Sequence, residues 1–420
     1  MRGRRGAVCA VIFLFMEAAA QGAAGLTLSQ CIAEALNSHP DLTAAEGTVQ
    51  SRRAAVSLAA VDSRLTARAY TGYSRSWEVR GGGGVQGNWS SGVALSQKIY
   101  DWGKIGTAVK GAALSAQFAE KAALNARETV VADVRSAYYA LNKALRDAEV
   151  QRQRLSNYRR RLEWAKSYYA AGTKAKIEVT KAETDLANAR LALIGAQSQA
   201  EQCKARLAAA MGDPAREIDS VKDELSFVPW EISLAEALKR AQRQRSDLAE
   251  EALRVKKAEN DVKAAKLTGA PALDASVGYH FGGSGYDDRA QWTAGLNLSL
   301  PVSDGGETGA RVAQARADLK VAAARRDKLA QAVALDVRTA WQNLRESAAS
   351  VAAARAVEKG ARENLNLALG RYRAGAGTAL EVSDAVDSCA SAQSAVITSL
   401  YNHKEARLSL EKAMGEVPEG

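Results

Sequence analysis

Proline is scarce in this sequence, and its scarcity limits the possible folds. The 420 residues contain six prolines, at positions 40, 214, 229, 271, 301 and 418. The stretches 41–213 and 302–417 therefore contain no helix-breaking proline. Ala, Leu, Lys, Arg, Glu and Gln fill both stretches, a composition typical of long helices and coiled coils. The sequence thus favours long helices over two or three ordinary globular domains.

Histidine and catalytic signatures are also scarce. The three histidines, His39, His280 and His403, are far apart and lack the spacing of metal ligands. The chain has neither a Gly-x-Ser-x-Gly motif nor a phosphate-binding loop, and the glycine run 81–84 is not followed by Lys-Ser/Thr. We therefore predict that the protein is not an enzyme and that it uses no metal or cofactor.

Cysteine is rare, with four residues in the chain. Cys9 lies in an N-terminal apolar run, and the remaining three, Cys31, Cys203 and Cys389, are widely separated. An odd number without close pairing argues against a disulfide framework. We expect these three residues to be core thiols.

Long apolar runs are missing, and this excludes a membrane-spanning α-helix. The apolar run 7–16 is too short to span a bilayer, but it follows three arginines and precedes small residues, which is the layout of a secretory signal. We predict a signal peptide at 1–24, cleaved after Ala20 or Ala24; a tethering N-terminal helix is the alternative. An exported chain can still enter a membrane as β-strands.

The net charge of +10 is not concentrated in one block. Basic and acidic residues are mixed along the helical stretches, which is typical of solvated helix faces. A basic balance can also indicate nucleic-acid binding, but predicted export argues against that partner.

A long repeat is the most informative feature that is present. The segment 101–106 (DWGKIG) has a counterpart at 304–309 (DGGETG), at a sequence offset of 203. The same offset relates Tyr169, Gly172 and Met211 to Tyr372, Gly375 and Met414. The openings of the two units, at Leu28 and Leu234, are instead related by an offset of 206. A period near 200 indicates a duplicated half-molecule, because solenoid repeats are much shorter.

The repeat divides the chain into five predicted segments. These are the signal peptide at 1–24, a first repeat at 25–212, an inter-repeat linker or equatorial region at 213–231, a second repeat at 232–415, and a short C-terminal tail at 416–420.

Each repeat contains two predicted strands. Side chains alternate with period two within 64–101 and 273–300, and glycine-rich turns lie at 81–84 and 282–285. Each strand has about ten residues, enough for a tilted membrane strand. Aromatic residues near the turns are typical of an interfacial girdle: Tyr70, Tyr73, Trp77, Trp89, Tyr279, Phe281 and Trp292.

A soluble hairpin with stacked aromatic residues is the alternative for each pair of strands. Four strands from one chain cannot close a barrel around a lumen. Membrane strands would therefore have to be shared among several chains, because open sheet edges are not tolerated in lipid.

Each repeat also predicts a long helical hairpin. One helix runs from about Lys104 to Ala170 and its counterpart from about Glu307 to Ala374, each on the order of 100 Å long. The return helices carry heptad seams at 182–210 and 385–413 that are rich in alanine, which favours many helices packed side by side. Gly172 and Gly375 are expected to end the first helix of each hairpin with a positive φ angle.

The strand-Asp-x-Gly-helix junctions, the glycine tips and the Met-Gly endings, each present twice in the same order, resemble the TolC-like outer-membrane efflux protein family. The resemblance covers nearly the whole chain after the signal. It implies a mainly α fold with a small β part. In such a fold, a homotrimer pools four strands per chain into a twelve-stranded outer-membrane barrel, which continues as a periplasmic helical tunnel.

The same resemblance implies partners and site residues. The partners are a periplasmic adaptor (membrane fusion) protein, an inner-membrane pump and outer-membrane lipid. Hairpin tips that meet the adaptor correspond to Ala171, Gly172, Thr173, Ala374, Gly375 and Ala376. The strand-helix junctions correspond to Asp101, Gly103, Asp304 and Gly306.

An acidic pair that lines the closed aperture in the family corresponds to Glu381 and Asp384. Carboxylates gathered by threefold symmetry would form a negative ring that favours cations. On sequence alone these residues can also be solvated acids at a helix start, which favours negative charge. Gly377 stands where some family members carry an arginine.

Two functions follow from this interpretation. The first is a passive exit duct for tripartite efflux or type I secretion. The second is a structural or adhesive coiled-coil protein of the envelope without a pore, which would account for the helices but not for the paired strands or the duplication.

Overall fold

The structure, a computed structural model of the whole sequence, describes residues 25–77, 85–283 and 289–416. The predicted signal peptide, the glycine run 81–84, residues 284–285 of the second predicted turn and residues 417–420 of the tail lie outside the described residues.

Eight α-helices and four β-strands make up the described part of the chain. In chain order they are α1 (Leu28–Ser38), α2 (Pro40–Ala59), β1 (Thr66–Trp77), β2 (Val85–Tyr100), α3 (Lys104–Ala170), α4 (Lys176–Ala210), α5 (Leu234–Gln244), α6 (Ser246–Lys266), β3 (Ala272–Gly283), β4 (Arg289–Ser299), α7 (Glu307–Arg373) and α8 (Ala379–Met414).

The predicted fold class is confirmed. The helices α3 and α7 each contain 67 residues, as the proline-free stretches predicted. None of the described helices combines the length and the apolar character required to cross a bilayer.

Two compact units account for the contacts within the chain. One contains the residues up to Leu42, Arg127–Gln244 and the residues from Ala334 onward; the other contains Thr43–Ala126 and Arg245–Val333. Each unit draws on both sequence repeats. The boundaries 25–212, 213–231 and 232–415 therefore stay predictions about the duplication.

The four strands form one antiparallel sheet with the order β1-β2-β3-β4. The central pair joins the two repeats, with Leu95 opposite Val277. A register shift interrupts this pair between Lys98 and Tyr100, close to the end of β2. β1 and β4 are the edge strands.

The two faces of the sheet differ in polarity. Because side chains alternate along a strand, the register assigns every side chain to a face. One face carries apolar side chains, including Tyr73, Trp77, Val93, Leu95, Val277, Tyr279, Trp292, Leu296 and Leu298. The opposite face carries mainly small and polar ones, including Thr66, Ser74, Asn88, Ser90, Ser96, Ser276, Gln291 and Thr293.

Tyr70, which was predicted to belong to the aromatic girdle, lies on the polar face. It is opposite Gly92, where a Cβ atom would lie 2.8 Å from the Tyr70 hydroxyl. The hydroxyl reaches Nδ1 of His280, whose Nε2 lies 3.1 Å from Oγ1 of Thr293. The glycine leaves room for this ring to cross β2, so the contact connects β1 to β3.

The heptad seams are buried as predicted. Ala182, Ala189 and Leu207 are buried in α4, and Ala385 and Leu410 are buried in α8. The seam positions of both helices that are not fully buried remain at least half-covered.

The three cysteines of the described chain are buried free thiols, as predicted. Burial raises the pKa of the Cys31 thiol to about 11. A thiol that stays protonated and out of contact with solvent behaves as a small core residue.

Candidate functional site

The two hairpin tips have the same backbone geometry. Gly172 has φ +72° and Gly375 has φ +76°, values that a residue with a Cβ rarely adopts. In the first tip the amide of Thr173 donates to the carbonyl of Tyr168 at 3.0 Å. In the second tip the amide of Ala376 donates to the carbonyl of Arg371, also at 3.0 Å. Both helices therefore end in a glycine cap that closes the last turn.

Side chains of the first tip contact the second tip. The Tyr168 hydroxyl lies 3.1 Å from the Tyr372 carbonyl oxygen and 3.0 Å from that of Arg373, so it can donate to either. The ammonium group of Lys174 lies 4.5 Å from the centre of the Tyr372 ring. The structure thus brings together the corresponding tips of the two sequence repeats.

The predicted aperture acids lie on an exposed face of α8, three residues apart. The amide of Glu381 donates to the Thr378 hydroxyl at 3.2 Å, which caps the helix. The Glu381 carboxylate is 3.9 Å from the Arg371 guanidinium, and both side chains are largely exposed. Asp384 is exposed as well. The proposal that these carboxylates gate an aperture stays a prediction.

A buried arginine close to the tips was missed by the sequence analysis. The Arg161 side chain is completely buried, and its Nη1 donates to the carboxylate of Asp185 and to the hydroxyl of Ser383. Its Nε and Nη2 have no hydrogen-bond partner among the described residues. Arg161 thus links α3 to both α4 and α8. No short-range sequence signal shows this, because Asp185 and Ser383 lie 24 and 222 residues further along the chain.

Two further unpaired polar atoms lie in the same region. The Tyr372 hydroxyl and Oε2 of Glu178 have no hydrogen-bond partner among the described residues. Burial, and then the nearby charge of Glu178, raise the pKa of Tyr372. The tip region therefore contains a polar core that is only partly satisfied.

A second polar link joins α3 to α8. The Asp387 carboxylate accepts a hydrogen bond from the Tyr158 hydroxyl at 2.7 Å and one from Nε of Arg154 at 2.9 Å. Burial, and then this contact with Asp387, raise the pKa of Tyr158. The two polar links hold the hairpin of the first repeat against the hairpin of the second.

The strand-helix junctions are helix caps. Asp101 accepts hydrogen bonds from the amides of Gly103 and Ile105. Asp304 accepts from the amides of Gly306 at 3.0 Å and Thr308 at 2.9 Å. The carboxylates satisfy amides that have no partner within the helix and lie near its positive end.

The backbone conformation at the third position of each junction favours glycine. Gly103 and Gly306 have φ angles of +90° and +89°. Trp102 also has a positive φ, +52°, and its counterpart in the second repeat is Gly305.

Comparison with known proteins identifies the family. The family described as outer membrane efflux protein matches residues 31–213 and 237–416. The chain belongs to this family. The match covers both repeats, so the TolC-like resemblance predicted from the sequence is confirmed.

Relatives of this efflux protein align along most of its length. The pyoverdine export outer membrane protein OpmQ of Pseudomonas aeruginosa is 23% identical over 409 residues, covering 92% of this chain and 85% of the relative. Protein CyaE of Bordetella pertussis is 28% identical over 418 residues, covering 93% and 84%. The crystal structure of the Campylobacter jejuni CmeC outer membrane channel has a TM-score of 0.82 at 18% identity, covering 92% and 85%, and shares the fold.

Membership decides between the two functions that the sequence left open. The protein is an outer-membrane efflux channel that extends into the periplasm, not a pore-less envelope coiled coil. The family and its structural neighbours are channel proteins rather than enzymes. TolC-like members are trimeric and work with adaptor and pump partners.

Proposed function

We propose that three copies of this chain form one passive exit duct that serves a tripartite efflux or type I secretion system. Four strands from each copy would close a twelve-stranded barrel in the outer membrane, with the polar face lining the lumen. The long helices would continue from it as a periplasmic tunnel.

The two-faced sheet is the observation that carries this proposal. On its apolar face Trp292 and Leu296 are each 74% exposed, and Tyr73 is 70% exposed. Contiguous apolar side chains at this exposure indicate a surface that is covered by lipid or protein. The edges of β1 and β4 are open in a single copy and would need partners in lipid. In a closed barrel, strands of other copies would pair with both edges and lipid would cover the apolar face.

The hairpin tips are the proposed adaptor-docking surface. A periplasmic adaptor that also binds an inner-membrane pump would contact Ala171, Gly172, Thr173, Ala374, Gly375 and Ala376. The exposed surfaces of both tips and their mutual contact support this assignment, since one partner can span both. The duct itself would supply no energy, and the pump would drive transport.

The aperture is proposed to lie at Glu381 and Asp384. Three copies would place six carboxylates around one axis, where mutual repulsion opposes close approach and cations are favoured. The long, exposed contact of Glu381 with Arg371 neutralises this charge only weakly.

Assembly is tested on the mature protein purified in detergent. We expect a trimer that resists heating in dodecyl sulfate and forms ion-conducting pores in planar bilayers. A monomer that stays soluble without detergent and carries no current would refute the proposal.

The gate is tested in the same bilayers. The double variant Glu381→Ala with Asp384→Ala should have a higher conductance and a lower preference for cations. Glu183→Ala is the matched control, because Glu183 is an exposed acid on α4 whose described ion-pair partner is the exposed Lys166. If the double variant conducts like the control, the gate assignment is wrong.

A further inference from the structure

The pairing of β2 with β3 inside the sheet indicates how the open edges of β1 and β4 pair with other copies. The strands β2 and β3 belong to different repeats and already form a repeat-to-repeat contact within one chain. In a ring of identical copies, β4 of one copy and β1 of the next would form the corresponding contact. The inference that follows rests on the proposed trimer.

The strand pairs within the two repeats are related by the same two sequence offsets. Thr66 of β1 pairs with Ser96 of β2, and Ala272 of β3 pairs with Ser299 of β4. Ala272 is the counterpart of Thr66 at the offset of 206, and Ser299 is the counterpart of Ser96 at the offset of 203. The strand β3 therefore corresponds to β1 through the first offset, and β4 corresponds to β2 through the second.

These offsets convert the interior register into a register between copies. Leu95 pairs with Val277. The counterpart of Leu95 on β4 is Leu298, and the counterpart of Val277 on β1 is Thr71. We propose that β4 of one copy pairs antiparallel with β1 of the next, with Leu298 opposite Thr71. The same register places Leu296 opposite Tyr73 and Trp292 opposite Trp77.

The polarity of the sheet provides an independent check. Leu298 lies on the apolar face of β4, and Thr71 lies on the face of β1 that carries Tyr73 and Trp77. On the other face, Gly295 meets Ser74 of the next copy. A shift by one residue would place apolar side chains of one copy beside polar ones of the next, because the side-chain period is two. Only registers shifted by an even number of residues keep the two faces continuous. The experiment must therefore distinguish the proposed register from registers shifted by two residues.

The helices next to the sheet extend the same contact. Within one chain α6 packs against α3. Nδ2 of Asn260 donates to the carbonyl of Thr107 at 2.9 Å, and the Arg254 guanidinium lies 4.3 Å from the centre of the Phe118 ring. The counterpart of this contact is α2 of one copy against α7 of the next.

The counterpart faces are open in a single chain. The positions that correspond to the internal contact are exposed. They are Gly47, Ser51, Ala54 and Leu58 on α2, and Ala310, Gln314, Ala317 and Val321 on α7. Both stripes follow the alternating steps of four and three that bring side chains onto one helix face. The counterpart of the internal helix contact is therefore accessible to a second copy.

Cysteine pairs on the polar face test the register in the assembled protein. Ser74→Cys with Gly295→Cys should form a disulfide between copies. A Cβ at Gly295 has room, because its nearest neighbour is the Ser276 hydroxyl at 3.8 Å. Gly72→Cys or Ser76→Cys, each combined with Gly295→Cys, are the matched controls for a shift by two positions. Diagonal positions are about 7–8 Å apart, beyond the usual range for a disulfide.

The samples are first denatured under conditions harsher than heated dodecyl sulfate, chosen so that the parent trimer dissociates completely. The expected result is then a covalent trimer on a non-reducing gel for the Ser74 pair. Its yield should be at least about fivefold greater than for either control pair. Ala54 and Gln314 are the counterparts of Asn260 and Gly111 at the offsets of 206 and 203. Within one chain a Cβ at Gly111 would lie 3.1 Å from Asn260. Ala54→Cys with Gln314→Cys therefore tests the helix contact between copies. The parent protein is the blank, because its three described cysteines are buried.

The outcomes separate this inference from the proposed function. A native mass of one copy in detergent, for the parent and every variant, would refute the trimer itself. A trimer that crosslinks most strongly through the Gly72 or Ser76 pair, or through none of the sheet pairs, would overturn the register while leaving the channel intact.

Discussion

The link through Arg161 gives the sharpest prediction for stability near the tips. Its side chain has no exposed surface, and its charge is balanced by the Asp185 carboxylate. Asp185→Asn keeps the shape of the side chain but removes that charge. Arg161 would then carry an unbalanced charge in the packed space between α3, α4 and α8.

The expected cost follows from this burial. Removing one partner of a buried ion pair costs about 3–5 kcal/mol. The Asp185 side chain is 23% exposed, so we expect the lower end, about 3 kcal/mol. A local opening equilibrium shifted by that energy increases about 150-fold. Combining Asp185→Asn with Arg161→Met should recover most of the loss, because the uncompensated charge is then absent.

Hydrogen exchange of α4 peptides in the intact detergent-solubilised protein measures this opening. Glu183→Gln is the matched control. Glu183 is two residues away on α4, and its ion pair with Lys166 has side chains that are 54% and 58% exposed. Its loss should cost at most about 0.5 kcal/mol, or about twofold in exchange. Equal acceleration in Asp185→Asn and Glu183→Gln would refute the reasoning.

Two further predictions concern buried rings in the same compact unit. Tyr372→Phe removes a hydroxyl without a described partner and should leave the thermal midpoint unchanged or raise it. Tyr158→Phe loses the hydrogen bond to Asp387, which should cost about 1 kcal/mol of unfolding free energy. A larger loss of stability in Tyr372→Phe than in Tyr158→Phe would contradict this. Burial lowers the pKa of His403 below its ordinary 6.5, so the stability contributed by its neutral form is complete above pH 6.5 and declines as the pH falls below it. His403→Gln should flatten the dependence of the thermal midpoint on pH from 6.5 downward, and an unchanged slope would exclude this role.

The features predicted correctly from the sequence depend on short-range physics. Helix length followed from the absence of proline. The turns at Gly172 and Gly375 followed from the local rules for helix C-termini. The strands followed from the alternation of side chains. Each of these signals lies within a few residues of the structure that it specifies.

The features that were missed depend on partners distant in the sequence. Arg161 is buried because Asp185 and Ser383 surround it, and their sequence positions do not show that they meet. Alternation along β1 places Tyr70 on the polar face, and its ring is accommodated there because Gly92 of the neighbouring strand leaves space and His280 binds its hydroxyl. A charged or aromatic side chain can take either environment, and the long-range packing decides which.

The tight turn of the second tip determines where this protein can place polar links between its hairpins. A Cβ at Gly377 would lie 3.0 Å from the Tyr372 amide nitrogen and 3.2 Å from the carbonyl carbon of Arg371, so the turn has little space for a longer residue. An arginine at position 377 would require the backbone at Arg371 and Tyr372 to shift. The charged link through Arg161 instead lies several helical turns away from the tips, where its guanidinium has no exposed surface and salt screens it less.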